Sequence, residues 1–135
     1  MKRRILHLFL FLNICILTSC SSQININKYI DKNAPLELRI NTIDSLTGFT
    51  STEKLEIPVN SNKFIQLTQW ADNNTNGWRS TPASYIAGVY VGQGNFRLLY
   101  TAGTAGVVIG FTDKENKPRQ DSKKTKIGEL DFLIN

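Results

Sequence analysis

Three short apolar runs at residues 85–91, 96–101 and 107–112, separated only by glycine-rich connections, constrain this chain more than any other feature. The first connection is Gly92-Gln93-Gly94 and the second is the small-residue run from Ala102 to Gly106. Runs of six or seven residues joined this closely have no room for crossover helices, so they predict an antiparallel three-stranded meander. With period-two alternation, one face of that meander collects Val89, Val91, Phe96, Leu98, Tyr100, Val107, Ile109 and Phe111. The second face carries Ile86, Tyr90, Leu99 and Val108 among Gly88, Gly92 and Gly110. It is flat and apolar enough to need a cover, which is either the preceding strands, the N-terminal segment or a partner.

Upstream, Leu36, Leu38 and Ile40 alternate with Glu37, Arg39 and Asn41, and Leu55, Ile57 and Val59 alternate with Lys54, Glu56 and Pro58. Two further strands follow, joined through turn residues 44–48, with Pro58 restricting the second to an edge or a strand end. Phe64, Leu67, Trp70 and Ala71 share a helical face, and Ser61 or Asn62 suits the N-cap, predicting a helix over residues 63–73. Ile65 interrupts that face and keeps a strand reading open. Asn73 to Gly77 stops the element, and Trp78 and Arg79 begin an irregular segment closed by Pro82. The helix covers one face of the sheet, so the expected fold class is α+β, a small single domain over residues 36–135. Ile127, Leu130, Phe132 and Leu133 dock the C-terminus on the core.

The N-terminus is of a different kind. Lys2, Arg3 and Arg4 precede an apolar run over residues 5–17, broken only by His7 and Asn13, and then comes Leu17-Thr18-Ser19-Cys20. The run is shorter than the roughly 20 apolar residues that cross a bilayer. It reads as a targeting segment to be excluded from the fold. These residues resemble the leader of a bacterial lipoprotein precursor. The resemblance covers about the first 22 residues and implies a signal peptide over residues 1–19, cleavage before Cys20, and acylation of the Cys20 thiol. It also implies a cell-envelope location, facing the periplasm from the outer membrane if the source is Gram-negative, since Ser21 and Ser22 follow the cysteine. Residues 20–35, polar as far as Pro35, then form the lipidated cysteine and an extended tether of at most roughly 50 Å. The alternation of Ile24 and Ile26 allows a short edge strand instead.

Processing would also reset the composition. Three of the 16 Lys and Arg residues lie in the leader, and the remaining 13 face 11 Asp and Glu, so the net charge falls from +5 to +2. The case for nucleic acid weakens accordingly. His7, Cys15 and Met1 are removed and Cys20 is acylated, which leaves the domain without histidine, thiol or disulfide. Zinc sites of His/Cys type and His-dependent nucleophiles are thereby excluded. Gly92-Gln93-Gly94 continues with Arg97 where a dinucleotide fingerprint needs glycine, so no nucleotide is expected. The carboxylates fall at positions with structural reasons: Glu37 and Glu56 on strand faces, Glu53 before a strand, Asp44 in a turn, Asp72 at a helix end. No cofactor, metal or catalytic residue is assigned, and the expectation is a protein that is not an enzyme.

Trp78, Arg79, Tyr85 and Tyr90 are the candidate partner-binding residues, because aromatic and Arg side chains beside an Asn-rich loop suit a protein anchor. For Trp78 the alternative is a plug at the end of the sheet. Residues 113–126 carry Lys114, Lys117, Arg119, Lys123, Lys124 and Lys126 against Asp113, Glu115 and Asp121, and read as a solvated hairpin or loop or, functionally, a surface for anionic headgroups or an acidic partner. The expected function is a lipid-anchored protein-binding module, such as an immunity protein or an inhibitor of a secreted or periplasmic enzyme. The alternative is a structural or accessory component of the envelope or of a secretion assembly, in contact with peptidoglycan.

Overall fold

The computed structural model describes residues 21–135. The signal peptide over residues 1–19 and the acylation of Cys20 lie outside the described residues. Seven strands form one sheet, antiparallel throughout: β1 (Leu36–Ile43), β2 (Thr50–Ile57), β3 (Arg79–Ser80), β4 (Val89–Gln93), β5 (Phe96–Tyr100), β6 (Val107–Thr112) and β7 (Pro118–Lys123), in the order β2-β1-β4-β5-β6-β7-β3. The one helix among the described residues, α1 (Asn62–Asn73), packs on one face, which makes the protein a small single α+β domain.

The expected meander is β4-β5-β6, in register through Val91, Leu98 and Ile109. All eight residues assigned to its apolar face are buried. The β4–β5 connection is a two-residue turn whose first central residue, Gly94, has φ +55°, the sign such tight hairpins require. Residues 85–88 depart from expectation: they are not strand. The preceding hairpin, β1–β2, closes through Asp44, whose carboxylate accepts the N–H groups of Leu46 (2.9 Å) and Thr47 (2.8 Å). Glu53 belongs to β2 rather than preceding it. The polar edge strand β2 ends directly before Pro58.

Ser61 caps α1, its hydroxyl accepting from Phe64 N at 3.3 Å. Phe64, Leu67, Trp70 and Ala71 are buried, and Ile65 points outward. Glu129 holds the far end, accepting from Trp70 Nε1 (2.9 Å) and Asn74 Nδ2 (3.2 Å). Burial raises the pKa of this carboxyl, but those donors, with the Lys126 N–H, outweigh it and hold the value low. The C-terminal segment docks as expected, with Leu130 and Leu133 fully buried.

Residues 22–35 are not a tether. Ser22 and Trp78 form an antiparallel bridge, Ile24 N donates to Thr75 O at 2.7 Å, and a 3-10 turn follows at Ile26–Tyr29. Ile24, Ile26 and Ile30 enter the core, and Tyr29 stacks on Phe111 at 4.3 Å. The isoleucine spacing that looked like an edge strand is instead a strap across the helix-covered face. The packed domain therefore includes residues 22–35 rather than starting at residue 36.

Register fixes which strand ends lie together. Ile43, Thr50, Val89, Tyr100, Val107, Lys123 and Arg79 share one end of the sheet, here termed upper. The tight turn at Gly94 and the β6–β7 turn share the lower end.

Candidate functional site

The face of the sheet opposite α1 is organised by the connection between β3 and β4. Because β3 lies at one edge and β4 next to β1, residues 81–88 must pass over β7, β6 and β5. Pro82 lacks an N–H and sits outside any ladder, and the segment is held by a few backbone and side-chain hydrogen bonds instead. Thr81 N donates to Gln120 O (3.0 Å), Gln120 Nε2 to Ala83 O (2.6 Å), and Asn41 Nδ2 to Ala87 O (3.0 Å). Thr81 Oγ1 and the Tyr85 hydroxyl lie 2.8 Å apart. The cover expected for this face thus comes from the crossing itself, not from β1 and β2, which extend the sheet edgewise.

Between the crossing and the sheet lies a groove of about 680 Å³. Leu99 and Val108, paired in register, form its floor, and Tyr85, Ile86, Arg79 and Lys124 are among the residues that line it. The floor is apolar, while the rim offers a phenol, a guanidinium and an ammonium. Such a site suits an extended segment with an apolar side chain and a neighbouring carboxylate or carbonyl.

Beside the groove the open face is surfaced by side chains lying flat. Arg39 pairs with Glu37 at 2.5 Å and stands over the Tyr90 ring, 4.8 Å from its centroid. Arg39 holds the Glu37 carboxyl below its ordinary pKa. Tyr90 lies across Gly92 and Arg97 across Gly110: an added Cβ would stand 2.6 Å from Tyr90 Cε1 and 2.8 Å from Arg97 Cγ, respectively. Those two glycines leave room for the flat side chains, a close approach that a larger residue would block.

Arg79 and Tyr85 therefore meet at the groove, and Tyr90 is on the same face, paired with Leu99. Trp78 is a correction. Its ring is fully buried on the other face, donates from Nε1 to Asn74 O at 2.6 Å, and meets Trp70 edge-on with centroids 6.4 Å apart. Alternation separates it from Arg79: neighbouring residues in an extended segment point to opposite faces. Lys124 and Thr104 were missed as groove residues, since neither has a local pattern to mark it. Of residues 113–126, expected as a solvated hairpin or loop, 113–117 form a turn with Lys114 and Lys117 exposed, whereas Pro118–Lys123 is β7, paired on both sides within the sheet and with Asp121 buried.

A fully buried charged group, Asp121, lies on the core face, opposite Ile109. Neither of its carboxylate oxygens accepts a hydrogen bond among the described residues, and Arg119 Nη2 stands 3.7 Å away. Burial pushes its pKa up, and Arg119 offsets part of that shift. Among the described residues no group of three or more His, Cys, Asp or Glu side chains is placed to hold a metal ion, and no helix is long and apolar enough to cross a membrane. No protein-family model, curated protein or solved structure matches the chain.

Proposed function

We propose that the protein is a lipid-anchored binding module of the bacterial envelope, which grips a protein partner in the open-face groove. The observation that carries this reading is the groove, where Tyr85 and Arg79, two side-chain types that anchor protein interfaces, stand exposed around an apolar floor. The preferred partner is a secreted or periplasmic enzyme whose loop enters the groove, as for an immunity protein or inhibitor. Attachment through Cys20 would hold the module at high effective concentration where such an enzyme passes. The binding role now falls to Arg79, Tyr85 and the floor residues, with Tyr90 at the margin and Trp78 removed.

The test compares the tagged full chain with its Arg79→Ala/Tyr85→Ala double variant, both expressed in the source cell and recovered with bound proteins. A hydrolase captured by the native chain, lost from the folded double variant, and inhibited by the native protein after purification is the expected result. Identical captures from both forms would overturn the groove as the binding site.

A further inference from the structure

The described chain starts at the upper end of the sheet. Ser22 is pinned to Trp78, accepting and donating backbone hydrogen bonds of 3.3 and 2.8 Å beside the top of β3. Cys20 precedes Ser22 by two residues, a span of at most about 7 Å. A group carried on the Cys20 thiol would then lie within that reach of Ser22, whereas a tether of residues 20–35 would let the domain stand far off.

The same end gathers exposed apolar side chains. Ile43, Leu46 and Phe49 project from the β1–β2 hairpin tip, Ile86 from the crossing, and Ile127 from the segment after β7, with Leu46 and Ile86 exposed by 95% and 98%. Arg79, Lys124 and Lys126 are exposed among them. Asp44, the carboxylate of the hairpin tip, is turned back onto the Leu46 and Thr47 N–H groups. The lower end is different in kind: its turns present Asn60, Gly94, Asn95 and residues 113–117, and none of the large exposed apolar residues is there. The others, Leu55, Ile65 and Tyr85, belong to β2, α1 and the groove.

We infer that the upper end of the sheet rests on a phospholipid bilayer. Leu46, Phe49 and Ile127 enter the boundary between headgroups and acyl chains, and Lys124 and Lys126 face the phosphates, while Arg79, Tyr85 and Ile86 stay with the groove. The inference rests on the reading of Cys20 as the anchor for its reach, while the uneven distribution of apolar residues is independent of it. Docking in this way would set the groove, which opens on the upper half of the sheet, just above the membrane surface.

The test uses the full chain, purified in detergent after expression in a bacterial host and reconstituted in vesicles of phosphatidylethanolamine and phosphatidylglycerol with brominated acyl chains. Phe49→Trp reports on the upper end and Asn95→Trp on the lower end, both at exposed positions, over a shared background from buried Trp70 and Trp78. Circular dichroism checks that each variant folds. Docking predicts bromine quenching at least about twofold greater for Phe49→Trp than for Asn95→Trp, as expected for a side chain at acyl depth. Equal quenching, or no association with vesicles, would overturn it. The intact mass reports separately on the anchor: a protein without acyl groups that still shows unequal quenching removes the Cys20 reading and keeps the docking surface.

Discussion

On the core face, Leu38, Val91, Leu98 and Ile109 stand side by side across four strands and are sealed by α1, the N-terminal strap and the C-terminal segment. One residue along, the opposite face presents Arg39, Tyr90, Leu99 and Val108 across the same strands, and its cover is a single irregular crossing. The first face is closed by fitted apolar shapes. The second is closed by amphipathic side chains laid over glycines and by hydrogen bonds to a loop. Packing of the first kind leaves no room for substitution without a cavity, whereas the second leaves a groove and side chains that move at little cost. If the open face carries the binding role proposed above, stability belongs to one face and recognition to the other, and substitutions should divide along that line.

The largest effect is expected at Trp78. Trp78→Ala empties a fully buried site, orphans Asn74 O and removes the contact with Trp70, which should cost about 3–5 kcal/mol in urea unfolding. A loss near zero, with binding abolished, would return Trp78 to the recognition face. Next comes Ile26→Ala in the strap, expected to cost about 3 kcal/mol because Ile26 is as buried as the sheet residues beneath it. A small loss there would mean that residues 22–35 are an appendage after all.

Those two residues also mark the limit of what the chain discloses locally. The meander, the β1–β2 hairpin and α1 were legible because each announces itself within a short window: alternation, a Gly turn, or Ser61 ahead of Phe64, Leu67, Trp70 and Ala71. Ile24, Ile26 and Ile30 sit in a polar stretch, and only the distant partners Thr75, Trp78 and Phe111 reveal that they are core. Trp78 and Arg79 are adjacent in the chain and suggest one patch, though neighbours in extended backbone serve opposite faces. The groove was half legible, since Ile86, Leu99 and Val108 could be placed on the second face, but its lining by Lys124 depends on how β7 lies beside β6. Burial of Asp121 follows from the same pairing, as it falls opposite Ile109.

Asp121 is the flaw in the sealed face, so its removal should help. Asp121→Asn keeps the shape and deletes the charge, with an expected gain on the order of 1 kcal/mol at pH 7. The sign follows from its raised pKa. The folded state holds this proton more tightly than the unfolded chain, so stability from the protonated form is complete below the unfolded value of 3.8 and is lost as pH rises through the folded value. The variant's advantage should therefore grow with pH above about 4 and then level off, measured as a difference in thermal midpoint. Glu37, Asp44, Asp113 and Glu129, whose pKa values are lowered, act in the opposite direction, but they are common to both proteins and cancel in the difference. An advantage that is constant with pH would mean that the carboxylate is already neutral or paired.

The smallest effect is expected on the open face, at Tyr90. Its ring lies over Gly92 and under the Arg39 guanidinium, yet it fills no enclosed space, and Arg39 keeps Glu37 as a partner when the ring is gone. Tyr90→Ala should cost about 1 kcal/mol or less, the scale of one exposed cation–π contact plus a cross-strand pair. Urea unfolding of the variant beside Trp78→Ala puts the two faces on one scale. A Tyr90 loss that approaches the Trp78 loss would mean that the flat layer over the glycines is a second core, and that a partner entering the groove would have to break structure rather than settle onto it.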